Sequence, residues 1–437
     1  MRSRGILLTG LLALLIPVGV MAQSTTQDPD VNDLRKQLEE MRSQMAAMQN
    51  RIEQMEKAKA GENTNPLAEQ PSPQPATAKV AAPAKPAAPK SPTAFSSGDW
   101  TFKIGGYIKL DMIHDFNAIG STDTFNPRTI PVDGSAGQDT RIHARETRLN
   151  LTVTGPVDGR ELKFFIEGDF MGTNNGLRLR HAYGEYGGLL AGQTWTTFMD
   201  DTNIPNTFDL DTPLAAPNLR VAMLRYTFRP SKQNQFSFAL EDPDPEVNAP
   251  PGVPGKAERT LPDFTGRWRY TNGRGHIQLS GFLGRTRFRP NKGEPTDVTI
   301  YGGLASGRLR VFTRDAAYAQ FGYGPGLGRY RGDVSAAPDT AGHLKAVKVA
   351  ALTVGYEHYW SPRWSSNFVA SPAWIINDDL GPTFHRRLDY LAANLRYWFL
   401  ENRAWIGAEY LYGRREVRNG DSGSANRIQG SVRFNLP

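Results

Sequence analysis

From Trp100 to the C-terminus, apolar residues recur at every second position. Phe102, Ile104, Ile108, Leu110 and Met112 alternate with Lys103, Tyr107, Lys109 and Asp111. Thr147, Leu149, Leu151 and Val153 alternate with Arg148, Asn150, Thr152 and Thr154. Leu162, Phe164, Ile166 and Phe170 are offset against Lys163, Phe165, Glu167 and Asp169. The same holds for Phe264, Trp268 and Tyr270 against Asp263, Thr265, Arg267 and Arg269. Ile277, Leu279 and Leu283 are set against His276, Gln278 and Ser280, and in the last segment Ile428, Val432 and Phe434 against Arg427, Gln429, Ser431 and Arg433. A period of two is that of a β-strand with unlike faces. Gly155-Pro156, Asn174-Asn175-Gly176, Asn272-Gly273 and Gly420-Asp421 read as the turns between such strands.

A β-sandwich would also alternate, with its polar face in water. Two features favour a membrane barrel. The segments run to about 10 residues, the length of a tilted spanning strand, where sandwich strands are usually about 5–6. Aromatic residues also gather at strand ends: Tyr356, Tyr359, Trp360 and Trp364, then Tyr397, Trp398 and Phe399, then Tyr410 and Tyr412. Rings of this kind form the interfacial girdles of outer-membrane barrels. In lipid every backbone donor must be paired, so the sheet must close on itself. Residues 98–437, 340 in number, suit about 16 antiparallel strands, give or take two. A barrel of that size encloses an aqueous lumen.

Upstream the period changes. Val31, Leu34, Leu38, Met41, Met45, Met48, Ile52 and Met55 are spaced alternately by three and four, with Arg, Lys, Glu and Gln between them. This heptad seam predicts an α-helical coiled coil within residues 23–59, with self-association as its function; a lone amphipathic helix on a surface is the alternative. Four methionines in the seam leave the strand number open. Residues 60–97 carry eight prolines among Ala, Lys, Gln and Ser and read as a semi-extended linker. Residues 1–22 have Arg2 and Arg4, an apolar stretch from Gly5 to Val20 and the small residue Ala22, the pattern of a cleaved signal peptide. The apolar stretch is short for a retained anchor. The reading is therefore of an all-β transmembrane barrel with an N-terminal coiled coil, exported to the outer membrane, its N-terminal segment in the periplasm.

Composition sharpens this picture in three ways. There are no cysteines, which excludes thiol chemistry and thiolate metal sites. Of the 51 Lys and Arg, 11 precede residue 98, and of the 44 Asp and Glu, 9 do, so the barrel segment holds 40 cations against 35 anions. Arginine is prominent on the polar face of the strands, at Arg148, Arg178, Arg180, Arg225, Arg267 and Arg269, and again at Arg396 and Arg433. Guanidinium groups facing a pore lower the barrier for anions and offer bidentate pairing to carboxylates. Most should pair with Glu146, Glu167, Asp169 and Asp263 on neighbouring strands; a few unpaired ones suffice for selectivity.

The stretch Thr194–Leu219 breaks the alternation, with prolines at 205, 213 and 217 and acids at Asp200, Asp201, Asp209 and Asp211. It is long for a structureless connection. An infolded loop that narrows a channel would look like this, and its acids opposite wall arginines would set up a transverse field; an ordinary outward loop is the alternative. Catalytic patterns are missing: there is no GxGxxG, HExxH or GxSxG. Gly420-Asp421-Ser422-Gly423-Ser424 only echoes a serine-nucleophile loop, and Arg331-Gly332-Asp333 is an adhesion tripeptide common by chance. The seven histidines show no metal-binding spacing, and no cofactor is expected. The net charge of +7 does not argue for nucleic-acid binding in an exported strand-rich chain.

Several stretches in this order resemble the DcaP-like trimeric outer-membrane porins. After the heptad segment come Ala144-Arg145-Glu146-Thr147-Arg148-Leu149, Glu167-Gly168-Asp169-Phe170, Arg178-Leu179-Arg180-His181-Ala182-Tyr183 and Gly192-Gln193-Thr194-Trp195-Thr196-Thr197-Phe198. Then follow Gly324-Pro325-Gly326-Leu327-Gly328-Arg329-Tyr330, His358-Tyr359-Trp360-Ser361, Gly407-Ala408-Glu409-Tyr410 and Arg427-Ile428-Gln429-Gly430-Ser431. The resemblance covers nearly the whole chain. It implies a 16-stranded barrel, a homotrimer, a periplasmic coiled coil and uptake of small negatively charged solutes, dicarboxylates among them. One departure stands out: such barrels usually end on an aromatic residue, and here Phe434 is followed by Asn435-Leu436-Pro437.

The expected function is passive diffusion of small anions. A phosphate-selective channel would need a denser Lys and Arg ladder than the strands carry. An adhesin or tether reaching the cell wall through the N-terminal segment is a reading of another class, and a hydrolase has no visible residue set.

Overall fold

The computed structural model describes Ser43 and residues 93–242 and 246–436. The signal segment, the heptad residues Val31 to Met55 other than the spacer Ser43, and the linker up to residue 92 lie outside the described residues. The strands fall in the unit Pro86–Pro437.

Sixteen antiparallel strands close into a barrel. They are β1 (Trp100–Asp115), β2 (Asp139–His143 and Arg148–Val157), β3 (Arg160–Asp169), β4 (Arg178–Tyr186), β5 (Leu189–Trp195), β6 (Arg220–Phe228), β7 (Asn234–Glu241) and β8 (Asp263–Asn272). There follow β9 (Gly275–Pro290), β10 (Thr296–Val311), β11 (Asp315–Pro325), β12 (Lys348–Tyr359), β13 (Trp364–Ile375), β14 (His385–Leu400), β15 (Ala404–Val417) and β16 (Ser422–Asn435). Each pairs with its neighbours in sequence, and β1 closes the cylinder on β16 through Tyr107–Asp115. One end carries short turns, such as Asp158-Gly159; the other carries the long connections 116–138, 196–219, 242–262 and 326–347.

The outward face is the apolar half of the alternation. Ile104, Ile108, Leu110, Leu149, Phe164, Leu279 and Ile428 are all exposed there. At the short-turn end, Trp360, Trp364, Phe399 and Phe434 are exposed as well, Phe434 edge-on to Phe399 at 5.8 Å. Trp398, by contrast, lines the interior.

Four local readings are corrected. Gly155-Pro156 is not a turn: Pro156 pairs with Glu161 inside β2, and the chain reverses at Asp158-Gly159. The ladder with β1 ends at Thr154, so the missing proline N–H is not needed. The strand containing Leu149 begins at Arg148, because 144–147 leave the sheet and carry Glu146 inward, where Lys109 donates to it. The linker stops short of residue 97: Ala94–Ser97 form a strand on Trp100–Lys103 about Gly98, with Phe95 stacked on Phe102 at 4.9 Å. Thr194 and Trp195 belong to β5, so the irregular segment starts at Thr196.

The inner face is not uniformly polar. Phe282, Ile300, Leu304, Tyr318, Val349 and Leu388 point inward from β9 to β14 and are buried. They pack against Phe125 and Ile130 of the 116–138 loop, Phe198 and Leu214 of the 196–219 loop, and Leu327 and Tyr330 of the 326–347 loop. One side of the lumen is thus a packed apolar core built from wall and loops, and water is left the other side.

Gly106 sits on β1 opposite Leu149 of β2, at a φ of 128° that favours glycine. A Cβ there would run into the Arg148 carbonyl oxygen. Gly106→Val should cost at least about 1–3 kcal/mol in backbone strain alone and lower the yield of heat-modifiable barrel on gels; unchanged yield would contradict the register of β1 on β2 at this point.

Candidate functional site

The 196–219 segment folds into the barrel. Its apolar anchors Phe198, Met199, Phe208 and Leu214 are buried, and its prolines keep it from pairing as a strand. Glu241 on β7 accepts from the Thr197 backbone N–H at 2.7 Å and from the Thr196 hydroxyl at 2.6 Å. Ser280 and Gln278 on β9 donate to the carbonyls of Phe198 and Met199 at 2.7 and 3.1 Å. Asn203 donates to the carbonyls of Gly307 and Ala319, and Asn206 to Glu357 on β12. At the far side, the backbone N–H groups of Phe208 and Asp209 donate to Glu409 on β15 at 2.9 Å. Lys109 and Gln429 donate to the Phe208 carbonyl at 2.6 and 3.0 Å. The segment therefore runs along the inner wall from β9 to β1, and then returns over β12 and β13, where Ala215 N–H meets the hydroxyls of Thr353 and Ser371.

Opposite this loop lies a cavity of about 490 Å³. Its basic lining comes from Lys109, Arg148, Arg178, Arg180 and Arg220, and from Arg396 and Arg433 near the short-turn end. Trp195, Trp398, Trp405 and Tyr107 lie between them. The rings hold guanidinium planes in place: Arg220 stands 4.5 Å over Trp195, Arg396 4.7 Å over Trp405 and Arg433 3.6 Å over Tyr107.

These cations divide by partner. Arg178 is bidentate to Asp169 at 2.9 and 2.7 Å, and Arg180 reaches Glu167 and Asp169 at 2.9 and 2.8 Å. Lys109 pairs with Glu146 and Asp111, and Arg148 stands 3.7 Å from Glu146. Arg220, Arg396 and Arg433 form no ion pair with any described residue; Arg396 donates to the Asn206 carbonyl and Arg433 to the Asn435 amide oxygen.

Arg225, Arg267 and Arg269 stand apart, on β6 and β8. Arg269 is held by Asp200 at 2.7 Å and Asp201 at 3.3 Å. Arg225 and Arg267 have no ion-pair partner among the described residues, and their buried Nε groups have no hydrogen-bond partner. Of the loop acids, Asp200 is consumed by Arg269, His276 and Ser306. Asp209 accepts from Phe125 N–H and lies 3.8 Å from Arg427; Asp211 accepts from Thr212 N–H and Asn218. Asp201 keeps a half-exposed carboxylate beside Arg269, while Asp209 and Asp211 line the cavity that the arginines of β2, β4 and β6 also line.

Arg427 is the deepest tie. It is fully buried, bidentate to Asp115 at 2.7 and 2.9 Å, and donates to the carbonyls of Ser121 and Thr122. Arg427→Gln should destabilise the barrel by about 3–5 kcal/mol, because it strands a buried carboxylate. Thermal unfolding in detergent checks this, and Asp115→Asn with Arg427→Gln should cost less than the two singly.

The Arg331-Gly332-Asp333 tripeptide is turned inward: Arg331 is buried, and Asp333 is paired with Arg128 and His385 at 3.0 Å. Burial alone would raise the Asp333 carboxyl; Arg128 and His385 outweigh it and hold it far below the usual carboxylate range. Gly420-Asp421 is the tight connection into β16, with Ser422 and Ser424 in register opposite Glu416 and Arg414. Lys109, Arg220 and the three tryptophans were not singled out as lining from sequence. Lys109 carried a signal, since it occupies the inward phase of β1; Arg220, the first residue of β6, did not.

The family model for the DcaP outer membrane protein matches residues 84–436. Among solved structures, the chain is similar to the outer membrane channel DcaP of Acinetobacter baumannii, at 21% identity over 78% of this chain and 99% of that one, with a TM-score of 0.70. The anion-selective porin from Comamonas acidovorans is similar in fold at 11% identity, over 77% of this chain and all of that one (100%), with a TM-score of 0.54. OmpF of Salmonella typhi, in complex with daunomycin, gives 10% identity over 78% and 100%, with a TM-score of 0.52. No curated protein matches the sequence.

Proposed function

This chain belongs to the DcaP outer membrane protein family, and from that premise we propose that it is a passive channel for small anions. The short turns then face the periplasm and the long loops the outside. Solutes pass between the infolded 196–219 loop and the wall of β1 to β6. The observation that carries the reading is the set of unpaired guanidinium groups, Arg220, Arg396 and Arg433, lining the cavity, with Arg225 and Arg267 as further unpaired charge on the wall of β6 and β8. No described carboxylate lies within ion-pair distance of any of them, so their charge acts on whatever crosses. Aromatic stacking fixes the first three without consuming their N–H donors.

Several unpaired guanidinium groups around one cavity suit a solute with two carboxylates, the class that the resemblance implies. In planar bilayers, succinate should depress the chloride current at lower concentration than phosphate does. Phosphate acting first would favour a phosphate channel, and no effect of either would overturn the anion reading. The assembly we propose is a homotrimer with the heptad segment contributing to self-association; light scattering in detergent should give three chains, and a single chain would contradict it.

A further inference from the structure

The outward face of β9 changes character abruptly. Ile277, Leu279 and Leu283 are half-exposed to the surroundings, as a lipid-facing row must be. The next three residues in the same phase are Arg285, Arg287 and Arg289. The strand pairs without a shift from Gly275 to Phe288, so the phase does not slip. The inward phase continues beneath them with Phe282, Thr286 and Phe288, all buried. Tyr301, opposite Leu283 on β10, marks the end of the apolar band. Lys256, on the short strand Gly255–Glu258, stands opposite Arg289.

Residues two apart on a strand lie about 6–7 Å from one another on one face. The three arginines therefore form a row that starts where the apolar band stops. Their partners position them without cancelling them. Asp297 is shared by Arg285 at 3.0 Å and Arg287 at 2.7 Å, and Glu258 accepts from Arg289 at 2.7 Å. Arg285, Arg287, Arg289 and Lys256 stand against Asp297, Glu258 and the nearby Glu294, so cations still outnumber carboxylates, with guanidinium N–H groups to spare.

We propose that this row binds the phosphates of the glycolipid headgroup in the outer leaflet, seating a lipid A molecule whose acyl chains lie on Leu279, Leu283 and Tyr301. The inference rests on the long-loop end facing outward. It needs a dianionic headgroup at the height where hydrocarbon ends, and guanidinium groups pair bidentately with phosphate. A diphosphorylated lipid supplies both the charge and the apolar tails.

The test uses the purified full-length chain in detergent, titrated with lipid A and with its dephosphorylated form and read by native mass spectrometry. Wild type should retain lipid A at least about tenfold better than the dephosphorylated lipid, with the preference falling as salt rises. R285Q/R287Q/R289Q should abolish that preference, while R274Q/R310Q at the opposite end leaves it intact. Equal retention of the two lipids by wild type overturns the proposal without any variant needing to fold. Orientation is read separately. The chain has no cysteine, so Glu294→Cys should be labelled by an impermeant maleimide on intact cells. Labelling without a lipid A preference overturns the row alone, and no labelling overturns the orientation on which it rests.

Discussion

Replacing Arg220, Arg396 and Arg433 together by glutamine should turn an anion-preferring channel into one with little charge preference. These three are the right targets because no carboxylate depends on them. Their removal strands no buried charge, so the barrel should still assemble. Two unit charges 4 Å apart interact by about 1 kcal/mol in water and about 4 at a protein surface. Each lost guanidinium should therefore change the relative permeability of chloride by about fivefold or more. The paired arginines behave differently. Arg178→Gln frees part of Asp169 and Arg180→Gln frees Glu167, so either should shift preference toward cations and also lower stability. The reversal potential in a salt gradient, read beside a melting curve, separates the two classes. A triple variant with unchanged reversal potential would place the selective charge elsewhere.

Glu409→Ala should release the loop. Glu409 is buried and accepts from Phe208 N–H, Asp209 N–H and the Asn394 amide. Truncation leaves the two backbone N–H groups without an acceptor, at a cost of about 1–3 kcal/mol for each group left unsatisfied. Phe208 would then lose its seat against Trp405, 4.8 Å away. The expected result is a larger and noisier open-channel current with a lower melting temperature. Asn394→Ala, which removes the amide's bonds to Glu409, to the Asn206 carbonyl and from Asn367 N–H but leaves the Phe208 and Asp209 backbone pairs on Glu409, should do less. Unchanged conductance in Glu409→Ala would mean that the loop does not set the narrowest passage.

The barrel was legible because lipid outside and water inside force unlike faces on each strand. Leu149 against Arg148 and Ile428 against Arg427 carry that signal residue by residue. The interior was only half legible. Phe282, Ile300, Leu304 and Val349 occupy the inward phase of their strands and are apolar, since they face loops rather than water. Alternation cannot report this, because a buried strand and a lipid-facing one are equally rich in apolar residues. The infolded loop announced itself through its prolines and lost alternation, but the anchoring contacts of its acids did not show in the sequence. Asp200 and Asp209 look like lumen charges in sequence; in the fold both also anchor the loop, and Asp209 lines the cavity. Which arginines share a cavity was hidden for a similar reason. Arg148 and Arg433 meet through barrel closure, across nearly the whole length of the domain, whereas Arg267, paired in register with Ser237 on the adjoining strand, faces another part of the wall. Gly155-Pro156 misled because proline is tolerated where a strand outruns its partner.

The account stands or falls on the charge preference of the open channel. The most direct measurement is the zero-current potential of the wild-type full-length protein in a planar bilayer across a tenfold potassium chloride gradient. A sign corresponding to chloride passing faster than potassium is the predicted result. A potential of zero or of the opposite sign would show that the unpaired guanidinium groups do not govern what passes.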